Sequence, residues 1–301
     1  LAAQGVREIQ FEQYDTNWES EAYNTVSGQN SNNSVRVTAE FMNRVSENGE
    51  WPLRHRVSGE TARTIQAGDL FEQISFAAWS CADPGVQFDS TINEWHTCPN
   101  SGRINASNPC SEYMFLDNTA CNLASLNLLK FYDSETGHFE VKSFEHAVRL
   151  WTIALEISVL MAQFPSREIA DLSYRFRTLG LGYANIGSLL MTMGIPYDSD
   201  QGRAVCSAIT ALMTGASYRA SAEMAAKLGP FPGYAENRDD MLRVIRNHRR
   251  AIHNSEPADY EQLTAFPYRF DENHCPAEIL QAARTAWNDA LEAGTTNGYR
   301  N

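Results

Sequence analysis

The sequence predicts an α/β protein with long helices and few, buried strands, and three features indicate this fold class. Its 301 residues are 43% hydrophobic and 20% charged, which is ordinary for a globular protein. Apolar residues recur at helical spacing over much of the stretch from residue 143 to residue 293. Between residues 83 and 130, by contrast, Pro, Asn, Gly and Ser separate short apolar runs that are typical of strands and loops.

Residues that favour helix ends divide the helical pattern into segments. The predicted helices are Asp69 to Cys81, Ser143 to Phe164, a further start capped by Ser166, Gly180 to Met193, Gln201 to Lys227, Asn237 to Arg250, and Pro276 to Ala293 closed by Gly294. The predicted strands are Val35 to Thr38 and Leu123 to Leu128, with a small hairpin around Glu135 to Gly137.

A short run near residue 110 carries the side chains best suited to chemistry. Asn108, Cys110 and Glu112 lie within five residues, and Cys121 follows eleven residues after Cys110. Pro109 fixes its own φ and disfavours the α conformation for Asn108, so we expect a turn here. In an extended segment leaving that turn, Cys110 and Glu112 would point to the same side. A thiol beside a carboxyl group indicates a reactive site rather than core packing, because Glu is rarely buried without a partner.

The run Asn108-Pro109-Cys110-Ser111-Glu112, with Cys121 after it, closely resembles the finger loop of ribonucleotide reductases, and in particular their adenosylcobalamin-dependent branch. Three further segments resemble the same family: Gln29 to Val37, Asp83 to Asn93, and Arg177-Thr-Leu-Gly180-Leu-Gly182-Tyr-Ala-Asn185. The resemblance covers nearly all of the chain. It implies part of a ten-stranded α/β barrel with a central finger loop and a helix-rich C-terminal half. Residues 1–301 would then be part of one catalytic barrel domain, truncated at both ends.

The resemblance also assigns roles to individual side chains. In this family a thiyl radical takes the 3′ hydrogen of a ribonucleotide, a carboxylate accepts the 3′-hydroxyl proton, and a thiol pair supplies the reducing equivalents. By position, Cys110 matches the thiyl residue, Glu112 the base, and Cys121 one thiol of the pair. Asn108 matches the amide that orients the sugar hydroxyls. The substrate-binding positions are Asn108, Pro109, Cys110, Ser111 and Glu112.

Cofactor and partners follow from the same resemblance. Adenosylcobalamin would generate the thiyl radical, and the substrate would be a ribonucleoside diphosphate or triphosphate. A thioredoxin-like protein or another dithiol would reduce the enzyme, and nucleotides would act as effectors of the complete enzyme; a homodimer is left open. The first reducing thiol, the Pro-Thr-Gly-Thr segment and the Cys-x-x-Cys pair have no counterpart among these residues. We therefore expect this chain to be inactive by itself.

Charge and cysteine content narrow the function classes. A formal net charge of −13 argues against nucleic-acid binding, which usually needs a basic surface. Six cysteines are too few for a disulfide scaffold of this size, and the sequence opens without a secretory leader, so we expect a reducing, cytoplasmic setting. Arg149 and Glu156 interrupt the longest apolar stretch, which favours a core helix over a membrane span.

Several alternatives stay open. One is an iron-dependent (class I) large subunit, which would receive its radical from a partner protein. Another is a non-catalytic zinc or nucleotide-binding module on the same scaffold. A zinc site would use Cys98 with Cys110 and Cys121, although no Cys-x-x-Cys pair is present. For Arg238 to Arg250 we expect a solvated helix face, the alternative being a contact for anionic cofactor groups. The carboxamides of Gln29 to Asn33 would form a turn or line a cleft.

Overall fold

The structure is a computed structural model that describes residues 32–301 and forms two compact units. The first unit extends to Phe88, and the second runs from Asp89 to Asn301. Most of the carboxamide-rich stretch from Gln29 to Asn33 lies outside the described residues, so both interpretations of it stay predictions.

The first unit pairs its strands around a small apolar core. Its elements are β1 (Ser34–Val37), α1 (Ala39–Ser46), β2 (Glu50–Arg54), β3 (Thr61–Gln66), α2 (Ala67–Cys81) and β4 (Gly85–Phe88). Strands β1 and β4 are parallel, whereas β2 and β3 are antiparallel. Val37, Phe41 and Ala67 are buried, and the ring of Trp51 meets Phe41 edge-on. Helix α2 begins before its predicted cap, so Asp69 lies in the first turn, where its charge complements the helix dipole.

The second unit is dominated by long helices. Its elements are α3 (Asp89–Glu94), β5 (Asn122–Asn127), β6 (Tyr132–Asp133), β7 (His138–Phe139), α4 (Val141–Met161), α5 (Arg167–Phe176), β8 (Leu179–Ala184), α6 (Ile186–Thr192), α7 (Asp200–Leu228), α8 (Tyr234–Ile252) and α9 (Ala277–Asn297). Helix α7 packs mainly against α9, and the buried core contains Ile209, Leu212, Ile245 and Trp287. The predicted helix from Gln201 to Lys227 and the predicted hairpin at β6 and β7 are confirmed.

Strands β5 and β8 form the parallel pair that positions the candidate site. Their register joins Asn122 to Leu179 and Asn127 to Ala184. Helix α4 packs against this pair, and Leu126 is buried. Leu123, by contrast, is 69% exposed. Within residues 32–301 only one face of this pair is covered, so the prediction of buried strands is wrong for the face that carries Leu123.

The segment from Gly180 to Met193 is not the single helix that the sequence analysis predicts. Residues Leu179–Ala184 form strand β8, and helix α6 begins only at Ile186. The reason is visible in the spacing, since Leu179, Leu181 and Tyr183 alternate with glycines. This period of two belongs to a strand rather than to a helix.

Several predicted helix ends are also corrected. Helix α4 begins at Val141 instead of being capped by Ser143, and it ends at Met161 rather than at Phe164. Asn237 lies inside α8 rather than at its cap. Ser166, however, caps α5 as predicted, because its hydroxyl accepts the Ile169 N–H at 3.3 Å.

Helix α9 continues through Gly294, which was predicted to close it. The end is marked instead by Gly298, whose φ of +74° favours glycine. A Cβ atom at Gly294 would lie 2.0 Å from the ring of Tyr299. Gly294 therefore makes room for the chain as it folds back over the helix.

The coarse α/β prediction is confirmed, but the barrel is not seen. Within residues 32–301 the strands form four two-stranded pairs and no closed barrel, so the ten-stranded arrangement stays a prediction. None of the helices in this same range is long and apolar enough to span a bilayer.

Candidate active site

The finger loop, residues 105–121, enters β5 after a tight turn. The Ser111 N–H donates to the Asn108 carbonyl oxygen at 3.0 Å, which confirms the turn predicted around Pro109. Ser111 adopts a φ of +64°. The backbone between Cys110 and Glu112 is therefore not extended, and the expectation that strand geometry puts both side chains on one side is wrong.

The Asn108 side chain braces this turn. Its Oδ1 atom accepts the Tyr113 N–H at 3.0 Å, and the Ser107 hydroxyl donates to the Asn108 carbonyl oxygen at 2.7 Å. An amide nitrogen cannot accept a hydrogen bond, so the oxygen end must face Tyr113. The Nδ2 group is consequently the donor end that Asn108 can offer to a ligand.

Cys110 and Glu112 are both exposed. Cys98 and Cys275 are buried instead, and burial raises the pKa of their thiols to about 12 and about 11. A thiol must be accessible to its reaction partner in order to react, and buried cysteines are inert for this reason. Exposure therefore distinguishes Cys110 from these two cysteines. Among residues 32–301, no three His, Cys, Asp or Glu side chains are arranged to hold a metal ion.

Cys121 is half-buried at the point where the finger loop enters β5. Burial raises the pKa of its thiol, and the Glu112 carboxylate raises it further. Cys121 is a free thiol, and the charge that acts on it comes from Glu112, a second side chain that the sequence analysis singles out.

Gly180 of β8 makes room for Cys121. A Cβ atom at Gly180 would lie 2.5 Å from the Cys121 Sγ atom and 2.9 Å from the Asn122 carbonyl oxygen. At Gly182, on the same face of the strand, the nearest atom would be the Ser125 Oγ atom at 3.7 Å. Sequence reasoning missed this role, although the glycines themselves were noticed.

A cluster of hydroxyl groups joins the finger loop to the start of β8. The Tyr113 hydroxyl lies 2.8 Å from the Thr119 Oγ1 atom and 2.8 Å from the Thr178 Oγ1 atom. Thr178 donates to the Ala120 carbonyl oxygen at 2.8 Å, and the Ala120 N–H donates to the Ser173 Oγ atom at 3.1 Å. Burial raises the pKa of Tyr113. Sequence analysis assigned no role to any residue of this cluster.

A buried ion pair lies next to this cluster. Arg177 and Glu156 are each 3% exposed, and an Arg177 guanidinium nitrogen is 2.6 Å from a Glu156 carboxylate oxygen. Arg300 donates to the same carboxylate at 2.7 Å. Glu156 is therefore a counter-ion that holds Arg177, the residue before Thr178, in place. Sequence reasoning also missed this role.

The arginine-rich stretch from Arg238 to Arg250 is not simply a solvated face. Arg243 is 5% exposed and donates to the Glu94 carbonyl oxygen at 2.8 Å. Arg246 and Arg250 bind Glu261 at 2.7 Å and 2.5 Å. These guanidinium groups serve contacts within the chain, which gives the anion-binding alternative no support.

Comparison with known proteins identifies the family. Residues 11–301 match the family described as ribonucleotide reductase, barrel domain. The chain belongs to the ribonucleotide reductase family. The vitamin B12-dependent ribonucleotide reductase of Bradyrhizobium diazoefficiens is 60% identical over 302 residues, covering 100% of this chain and 24% of that protein.

Other relatives carry the same name. The vitamin B12-dependent ribonucleotide reductase of Agrobacterium fabrum has the same identity and coverage. That of Streptomyces avermitilis is 48% identical over 299 residues, covering 98% of this chain and 30% of that protein. This ribonucleotide reductase segment therefore spans less than a third of the length of these relatives.

Proposed function

We propose that this chain supplies the thiol-bearing loop of an adenosylcobalamin-dependent ribonucleotide reductase that acts on ribonucleoside diphosphates or triphosphates. One observation carries the proposal: an exposed thiol at Cys110, an exposed carboxylate at Glu112 and a second, half-buried thiol at Cys121 lie on one loop. Relatives named vitamin B12-dependent favour the cobalamin branch over an iron-dependent large subunit.

Exposure of Cys110 fits the proposed cofactor. A thiol that receives a radical must be accessible to the group that supplies it, and Cys110 is exposed, whereas Cys98 and Cys275 are buried. Adenosylcobalamin, when bound, supplies the radical chemistry, and Cys110 is the residue that would meet it.

The chain's own residues then act on the ribose. The Cys110 thiyl takes the hydrogen from C3′ and becomes a thiol, while Glu112 accepts the proton of the 3′-hydroxyl group. Asn108 donates from its Nδ2 group to a sugar hydroxyl. The 2′ oxygen leaves as water. Cys121 and a second thiol outside these residues supply two hydrogens: one leaves with the 2′-hydroxyl group as water, and the other forms the new C2′–H bond. The two sulfurs join as a disulfide. Glu112 returns its proton to the 3′ oxygen, and Cys110 returns its hydrogen atom to C3′, which regenerates the thiyl.

The environment of Cys121 supports its role as a reducing thiol. Burial and the Glu112 carboxylate raise the pKa of Cys121, which keeps the sulfur protonated. A protonated thiol still holds the hydrogen that the reduction consumes. A thioredoxin-like protein or another dithiol would later reduce the disulfide, and nucleotide effectors would act on the complete protein.

We also infer that residues 1–301 are part of one barrel domain working in a reducing, cytoplasmic setting. The chain contains no cysteine before Cys81 that could be the first thiol of the reducing pair. It also spans only 24% of the relative from Bradyrhizobium diazoefficiens. We therefore expect no sustained turnover from these residues alone.

Two serine variants of the full-length protein test the thiol roles. Cys110→Ser should lower deoxynucleotide formation below about a thousandth of the parent rate while nucleotide binding persists, because oxygen cannot replace the thiyl. Cys121→Ser should still allow loss of base from the substrate, or hydrogen exchange at C3′, but no normal product. Cys206→Ser, at a half-buried thiol on α7, is the matched control and should stay active.

The outcomes separate the alternatives. Ordinary deoxynucleotide over many turnovers from either variant would overturn the role given to that cysteine. No product from the parent protein with adenosylcobalamin, a dithiol and ribonucleotide would favour the non-catalytic zinc or nucleotide-binding module, which elemental analysis for zinc would then examine.

A further inference from the structure

We propose that the Tyr113 hydroxyl is a positioning group that holds the finger loop, and with it Cys121, against the start of β8. The inference rests on the proposed function, because the position of Cys121 matters for reduction only if Cys121 is a reducing thiol. Tyr113 itself does not act on the substrate in this proposal.

Tyr113 connects the two ends of the finger loop. Its backbone N–H donates to the Asn108 Oδ1 atom at 3.0 Å, within the turn that carries Cys110. Its hydroxyl lies 2.8 Å from the Thr119 Oγ1 atom and 2.8 Å from the Thr178 Oγ1 atom. One residue therefore links the turn to the residues just before Cys121 and to the strand beside it.

The hydrogens available make the Tyr113 hydroxyl the shared donor. Thr119 donates its hydroxyl hydrogen to the Leu116 carbonyl oxygen at 2.5 Å, and Thr178 donates its own to the Ala120 carbonyl oxygen at 2.8 Å. Both threonine oxygens are thus left to accept from Tyr113, whose phenol has a single hydrogen. The hydroxyl groups of Tyr113, Thr119 and Thr178 thus have three hydrogens for four hydrogen-bonding contacts. If the phenol oxygen is removed, both threonine oxygens lose the same partner.

The link reaches Cys121 through its immediate neighbours. Ala120, which precedes Cys121, is held by Thr178 through its carbonyl oxygen and by Ser173 through its N–H. The Cys121 sulfur packs against Gly180, two residues after Thr178. A shift of Thr178 relative to the finger loop would therefore change the burial of Cys121 and its contact with Gly180.

Tyr113→Phe in the full-length protein removes only the hydroxyl, because the ring can keep its packing beside Phe115 and the backbone bond to Asn108 is unaffected. The probe is iodoacetamide under native conditions, with the alkylated Cys110 and Cys121 peptides quantified by mass spectrometry. We expect the labelling rate of Cys121 relative to Cys110 to rise about fivefold, the loss equivalent to one hydrogen bond. Tyr268→Phe, at a fully exposed side chain, is the control and should leave the ratio unchanged.

Thr178 supplies a second test that does not depend on the Tyr113 variant folding well. Thr178→Val removes the hydroxyl and should raise the Cys121 labelling ratio, whereas Thr178→Ser keeps it and should restore the parent ratio. In the reductase assay, Tyr113→Phe should lower kcat about fivefold, with KM changed by less than about twofold. More base should also be lost from the substrate per deoxynucleotide formed.

The two readouts distinguish failure of the inference from failure of the proposed function. A parent-like labelling ratio and a parent-like kcat in both Tyr113→Phe and Thr178→Val would overturn the positioning role while the reductase function stands. A raised labelling ratio in a protein whose parent form produces no deoxynucleotide would support the positioning of Cys121 and overturn the proposed function.

Discussion

Gly180→Ala in the full-length protein would test whether β8 is shaped around Cys121. The added Cβ atom would lie 2.5 Å from the Cys121 Sγ atom, 2.5 Å from the Leu123 Cδ2 atom and 2.9 Å from the Asn122 carbonyl oxygen. Nonbonded carbon contacts are ordinarily about 3.5–4.0 Å, so the overlap is about 1 Å. Because one of the three atoms belongs to the backbone of β5, a side-chain rotation cannot relieve all of it.

The expected loss follows from two opposing effects. Overpacking of this kind costs about 1–3 kcal/mol. Alanine also reduces the conformational freedom of the unfolded chain, which offsets about 0.4–1 kcal/mol. The midpoints of these two ranges leave a net local destabilisation of about 1.3 kcal/mol, which corresponds to an opening of the β5–β8 pair that is about tenfold more frequent.

Amide hydrogen exchange, read by mass spectrometry on peptides covering β5 and β8, measures this opening directly. Gly182→Ala is the matched control, since its Cβ atom would meet nothing closer than 3.7 Å on the same face of the strand. Exchange should accelerate in Gly180→Ala and stay near the parent rate in Gly182→Ala. Equal exchange in both variants, with unchanged labelling of Cys121, would show that Gly180 does not make room for this thiol.

Two further predictions concern ion pairs. The Arg246 hydrogen bond lowers the pKa of Glu261 from 4.5 to about 2, so its stabilising contribution is present above pH 4.5 and is lost as the pH falls through about 2. Thermal unfolding of Glu261→Gln between these pH values should depend less steeply on pH than that of the parent, and identical acid limbs would contradict this. Glu156→Gln removes the negative charge from a buried pair. It should lower the free energy of opening at β8, measured by amide hydrogen exchange, by about 3–5 kcal/mol. Glu223→Gln, from an exposed pair, should cost less than about 1 kcal/mol; similar losses in both would refute the distinction.

Local signals were enough to predict much of the fold. The two ends of helix α7 lie at residues that favour helix ends. Ser199 accepts the Gly202 N–H at its start, and Gly229 lies just after its last residue. The alternation of Leu179, Leu181 and Tyr183 indicates strand β8 locally, whereas nothing local explains the two glycines between them, Gly180 and Gly182. The reason for one of them lies in Cys121, far away in the sequence, and no local rule contains that information.

The residues of the candidate site also differ in whether the sequence alone predicts them. Asn108, Cys110, Glu112 and Cys121 are predicted as site residues because they share one short motif with a recognisable spacing. The supporting residues Tyr113, Thr178 and Glu156 carry no such signal, because an isolated tyrosine, threonine or glutamate has many ordinary roles. Their importance depends on contacts that only the folded chain creates.

Those contacts make the finger loop and the segment from Arg177 to Asn185 one structural unit. Glu156 fixes Arg177, the next residue Thr178 binds both Tyr113 and Ala120, and Gly180 receives the Cys121 sulfur. A reactive loop needs rigid support, because small displacements of its groups are costly for catalysis. Here the support acts at the β5 end of the loop, whereas Cys110 stays exposed at the turn. The arrangement therefore fixes one thiol in position and keeps the other accessible, as radical transfer to Cys110 and hydrogen donation from Cys121 would each require.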